Sequence, residues 1–83
     1  MNMDKPIIEI DIHGMNKVQA KTYIDSILKK VGKNVFRIEI IHGFHGGSSL
    51  RDMVRSTYKN NPKVKRIELG LNNGATTLIL REL

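Results

Sequence analysis

Along residues 7–13 apolar and polar side chains alternate, with Ile8, Ile10 and Ile12 on one face and Glu9, Asp11 and His13 on the other. Strict alternation is the mark of a strand buried on one side, so this segment is a predicted strand with Asp11 and His13 turned off the core. The period then changes. Ala20, Ile24, Ile27, Leu28 and Val31 recur at three- and four-residue intervals and form one buried stripe, which predicts a helix over 17–31. Asn16 and Gln19 stand in capping-box spacing at its start, and Gly32 is expected to close it as a left-handed C′ glycine. A second strand follows over 35–41, with Phe36, Ile38 and Ile40 opposite Arg37, Glu39 and Ile41. Ser48 or Ser49 can cap a second helix over 50–60 that turns Leu50, Met53 and Val54 inward and stops before Asn61-Pro62. Strands over 64–69 and 76–80, joined through Asn72-Asn73-Gly74, complete the chain.

The order β-α-β-α-β-β with one-sided strands predicts an α/β two-layer sandwich, with both helices on one sheet face. The first two strands should be parallel and the last two antiparallel. Residues 1–6 read as a flexible N-terminal tail and 7–83 as one domain, since 83 residues support a single core.

Parallel pairing of the first two strands has a chemical consequence. Their C-terminal ends then share one sheet edge, beside the N-termini of both helices. In open α/β sheets that edge is where ligands bind, and helix N-termini favour anions. All three histidines stand here, each before a glycine: His13-Gly14, His42-Gly43 and His45-Gly46. The loop that continues through Gly47 has the freedom to wrap amides around a phosphate. No Gly-Lys-Ser/Thr follows it, which argues against nucleoside triphosphate binding. Asp11 with His13 and His42 could carry protons for phosphodiester cleavage, because a carboxylate can orient an imidazole that titrates near neutrality. The same groups could hold the loop backbone together instead. No cofactor is indicated. A divalent metal could take part in DNA cleavage, but no two histidines have helical ligand spacing.

Charge narrows the ligand. Fourteen Lys and Arg against eight Asp and Glu give +6, which suits a polyanion. Lys17 and Lys21 on the first helix, and Arg51, Arg55 and Lys59 on the second, form basic stripes leading away from the glycine loop. Phe44, at the loop tip, could lie against a base or sugar. With no cysteine, no signal-peptide pattern and no long apolar run, the expected location is cytoplasmic, without a membrane partner.

At these residues the sequence resembles the Smr (small MutS-related) domain family. Ile10-Asp11-Ile12-His13-Gly14 is similar to its Leu-Asp-Leu-His-Gly signature. Ile41-His42-Gly43, followed by a glycine loop and Leu50-Arg51, is similar to its His-Gly-x-Gly signature. Gly74-Ala75-Thr76 resembles its C-terminal block. The resemblance implies a sandwich like the C-terminal domain of translation initiation factor three, nucleic-acid binding, and in some members nicking of DNA or RNA. It gives Asp11, His13 and His42 the catalytic positions, and Gly14, Gly43 and Gly47 the glycines around them. Phe44-His45 stand where many members have a basic residue and an early glycine, a departure that resembles the small stand-alone members. No ATPase or clamp region accompanies these motifs, so any nicking should be uncoupled from ATP.

Two functions follow as expectations. One is a nicking endonuclease acting on RNA or DNA through Asp11, His13 and His42, with Gly14, Lys17, Lys21, Gly43, Phe44, His45, Gly46, Gly47, Arg51 and Arg55 binding the strand. The other is a non-catalytic module that binds structured RNA or the ribosome. A protein-interaction module on the open sheet face is a third reading, and it predicts no salt-dependent nucleic-acid binding.

Overall fold

The computed structural model describes residues 3–43, 49–69 and 74–82. In chain order its elements are β1 (Ile7–Asp11), α1 (Lys17–Lys30), β2 (Arg37–Ile41), α2 (Ser49–Tyr58), β3 (Arg66–Glu68) and β4 (Ala75–Ile79). They form one four-stranded sheet in the order β1-β2-β4-β3. β1 and β2 are parallel, and β4 runs antiparallel to both β2 and β3. The last strand is therefore inserted between β2 and β3, so α2 and β3 cross over it.

One face of the sheet carries the core. Ile8, Ile10, Ile38, Ile40 and Leu78 pack with Ala20, Ile24, Ile27 and Leu28 of α1 and with Val54 and Tyr58 of α2. Both helices thus cover the same face, as one-sided alternation requires. The register lines up Glu9, Glu39, Thr77 and Glu68 across the opposite face. Arg37 and Arg66 on that face are tied to Glu68, at 3.5 and 2.9 Å, and Arg66 also pairs with Glu82 at 2.5 Å.

Local chemistry sets the helix ends. Asn16 Oδ1 accepts from the Gln19 amide at 2.8 Å, and Gln19 Oε1 accepts from the Asn16 amide at 3.0 Å, completing the expected capping box. The other end departs from expectation. Val31 is the C-cap in extended conformation, and Gly32 does not have a positive φ. The N-terminal segment passes beside this glycine: a Cβ there would lie 2.7 Å from Asp4 Oδ1, the end of a side chain that can swing aside, and 3.9 Å from the Met3 carbonyl. That segment, read from sequence as part of a tail, accepts hydrogen bonds from Gly32, Phe36 and Arg37 through the Met3 and Pro6 carbonyls. Met3 also packs against the core.

Candidate functional site

The parallel register places Asp11 beside Ile41, so the ends of β1 and β2 share an edge. The Ile12 amide donates to the Ile41 carbonyl at 2.8 Å and carries the pairing one step further. The chain then turns away at Gly14 and Gly43, whose φ values of 83° and 76° belong to the left-handed region. Glycine reaches that region without the strain a side chain would add. The turns release α1 on one side, and the described chain resumes with α2 on the other. Among the described residues, the cavity between them is lined by His13, Gly14, Met15, Asn16, Lys17, Ile41, His42, Gly43, Ser49 and Leu50, with a volume of about 640 Å³. The start of β4 closes this edge, because the Gly74 carbonyl accepts from both the His42 and Gly43 amides at 2.9 Å.

Asp11 and His13 form an exposed pair at the rim. One carboxylate oxygen, Asp11 Oδ1, lies 2.5 Å from His13 Nδ1 and accepts from the His13 amide at 3.0 Å. The imidazole hydrogen bond, and then the backbone one, hold the Asp11 carboxyl below the usual carboxylate range. A carboxylate can only accept, so Nδ1 carries the proton and Nε2 is left without a partner among the described residues. This is the tautomer a general base needs.

His42 stands in a different setting. It is 4% exposed, and both ring nitrogens are engaged. Nδ1 lies 3.0 Å from the Gly43 carbonyl, an obligate acceptor, so Nδ1–H donates there. Nε2 is then the acceptor for the Thr76 hydroxyl at 2.9 Å. Arg55 Nε in turn donates to Thr76 Oγ1 at 3.0 Å. Burial pushes His42 down from its usual value near 6.5, the Gly43 bond opposes that shift, and the Arg55 and Arg51 charges reinforce it. The ring is held neutral and ties β2, β4 and α2 together.

The network carries two expectations. Thr76→Val leaves His42 Nε2 and Arg55 Nε without their buried partner, at a cost of about 1–3 kcal/mol. Urea unfolding checks this, and Thr76→Ser should recover most of the loss. The second concerns pH. His42 is neutral in the folded chain, whereas in the unfolded chain it gains a proton below about pH 6.5. The unfolded state then binds more protons, so stability falls as pH drops through that value toward the lower folded one. Thermal melts across pH 7.5 to 5 should show the decline, and it should be absent in His42→Gln.

The expected basic residues are distributed unevenly. Lys17 lines the cavity. Lys21 lies one turn further and pairs with Asp25 at 2.7 Å. Arg51 Nε lies 3.3 Å from Asp52, while Arg55 Nε is spent on Thr76. Phe44, His45, Gly46, Gly47 and Ser48 lie outside the described residues. So does any role for His45 as a ligand; among the described residues, no three His, Asp or Glu side chains could hold a metal ion. Thr76 joins the site through His42 and Arg55, a role the strand pattern alone does not single out. Its signal was a polar residue at an inward register of an apolar strand, within the Gly-Ala-Thr block.

The Smr domain profile matches residues 10–81, from the strand carrying Asp11 to the end of the sheet. The crystal structure of the Smr domain of Thermus thermophilus MutS2 superimposes with a TM-score of 0.79 at 21% identity, covering 90% of this chain and 99% of that one. No curated protein matches the chain. No helix among the described residues is long and apolar enough to cross a membrane. Matched profile and shared fold lead to one assignment: the chain belongs to the Smr domain family, which is associated with nucleic-acid binding and nicking.

Proposed function

We propose that the chain binds nucleic acid at the edge where β1 and β2 end and nicks it with the Asp11–His13 pair. The observation that carries this reading is a carboxylate-oriented imidazole, its Nε2 without a partner among the described residues, at the rim of a cavity flanked by two helix N-termini. Charge distribution supports the same approach. On the open sheet face Arg37 and Arg66 are tied to Glu68 and Glu82 beside Glu9 and Glu39, which disfavours a phosphate backbone there. Lys17 and the Arg51 and Arg55 guanidiniums stand on the helix side instead.

With RNA the chemistry needs few parts. His13 Nε2 takes the proton of a ribose 2′-hydroxyl, and O2′ attacks the adjacent phosphorus. The bond from phosphorus to O5′ breaks, and the proton returns to O5′ from the imidazolium or through water. Asp11 stays ionised throughout and holds the ring in the tautomer that starts the cycle. His42 acts here as a positioning residue, since its ring nitrogens are committed to Gly43 and Thr76.

The test is incubation of matched RNA and DNA oligonucleotides with purified protein, with and without EDTA, beside an Asp11→Ala/His13→Ala control. RNA cuts that survive EDTA and vanish in the control are expected. Binding should weaken with added salt, with a log–log slope of roughly −0.7 per single-stranded phosphate contacted. Salt-dependent binding with no cleavage above the control would leave a binding module and remove the catalytic roles. Absence of binding would sink the whole reading.

A further inference from the structure

We infer that the cavity between the two His-Gly turns receives one unpaired nucleobase, so that the chain engages a nucleotide swung out of its stack and not an intact duplex. The inference rests on the nucleic-acid reading above and specifies the substrate for that same site.

The lining is the starting point. A site for phosphate alone needs amides and cations. Here Met15, Ile41 and Leu50 share the cavity with His13, Asn16, Lys17 and Ser49. Met15 and Leu50 are half-buried and packed against the core, so folding fixes their place. A phosphate pressed against such residues would lose water without gaining hydrogen bonds. A nucleobase has the matching distribution, with apolar faces and a polar edge. Methionine sulfur also makes favourable contacts with aromatic faces.

Size and surroundings agree. About 640 Å³ lies within the range of clefts that enclose small ligands, and it leaves room for a base with part of its sugar. The committed nitrogens of His42 leave its buried ring as packing surface in the cavity wall. Lys17, in the first turn of α1, stands where it can meet the attached phosphate. The exposed Asp11–His13 pair lies at the same rim. A base seated in the cavity therefore fixes the neighbouring phosphodiester beside the proton acceptor, an orientation effect that a phosphate clamp alone would not give. A paired base cannot enter without leaving its partner, and unpairing is least costly in loops, bulges and single strands.

The experiment uses the native protein and three RNA hairpins, each 2′-O-methylated at the probed nucleotide so that it stays intact. One carries 2-aminopurine at an unpaired loop position, one carries it in the stem, and one has an abasic residue at the loop position. Loop 2-aminopurine emission should rise on binding while stem emission stays unchanged. The abasic hairpin should bind about tenfold more weakly, consistent with loss of an apolar contact of this size. Its salt slope should match that of the intact hairpin, because the phosphates remain. In Leu50→Gln the intact hairpin should bind as weakly as the abasic one, and the two losses should not add. Equal affinity of abasic and intact hairpins, with unchanged emission, overturns base capture and leaves the nucleic-acid reading standing. No salt-dependent binding of any hairpin overturns both.

Discussion

His13→Ala is expected to reduce RNA cleavage by about 10²–10⁴-fold, the usual contribution of a positioned general base. Affinity for uncleaved RNA should change by no more than about threefold, because a single exposed contact contributes little. The separation of the two effects follows from geometry. The His13 side chain is exposed, and its hydrogen bond from the ring goes to Asp11. Its amide also donates to Asp11 at 3.0 Å, and alanine retains that amide. Alanine also retains the Cβ, which lies 3.6 Å from where a side chain on Gly43 would begin. The turn therefore stays formed while the proton acceptor is lost. Asp11→Asn tests the orientation directly. An amide can present its NH₂ group to Nδ1 and favour the other tautomer, so a smaller but clear fall in rate is expected. Asp11, held below the usual carboxylate range by its bonds from His13, should add no step to the rate profile near neutral pH. Cleavage by His13→Ala at the native rate would remove this histidine from the chemistry.

Tyr58→Ala should cost about 3–5 kcal/mol, a large share of what a domain of this size possesses. Tyr58 is fully buried at the end of α2 and joins the core shared with α1. Its hydroxyl donates to Asp25 Oδ1 at 2.7 Å, which locks the two helices across the layer. Burial pushes Asp25 up, but hydrogen bonds from Lys21 and Tyr58 outweigh it and leave the carboxyl below its ordinary value. Burial, and then the Asp25 carboxylate, push the Tyr58 phenol up, so it remains a donor into alkaline solution. Thermal unfolding is the check, with a Tm fall of more than roughly 12 °C at 4–8 °C per kcal/mol for a domain this small. Tyr58→Phe keeps the ring and loses the hydroxyl's hydrogen bonds to Asp25 and to the Lys21 carbonyl, at about 1–3 kcal/mol. Similar melting of the alanine and phenylalanine variants would show that packing contributes less than the burial implies.

Local patterns settled much of this fold before any contact was known. Ile8, Ile10 and Ile12, and then Ile38 and Ile40, each two apart, determine two one-sided strands, and the stripe from Ala20 to Leu28 determines the covering helix. Asn16 and Gln19 mark the helix start because a capping box is made within four residues. Parallel pairing of β1 and β2 follows from the helix between them, so the shared edge of the two His-Gly turns was legible too. Distance in sequence hid the rest. Gly32 stands where a helix stop is expected, but its amide donates to the Met3 carbonyl, and a local pattern carries no trace of a segment from 29 residues earlier in the chain. The insertion of β4 between β2 and β3 depends on which edge offers the better register, which alternation alone does not rank. That insertion sets the chemistry of the site. It brings Thr76 to His42 across 34 residues and separates two histidines that look equivalent in sequence. The sequence by itself determined the strands, the helices and the edge; tertiary structure decided that both ring nitrogens of His42 are engaged while His13 Nε2 has no partner among the described residues, because the second partner of His42, Thr76, comes from a distant strand.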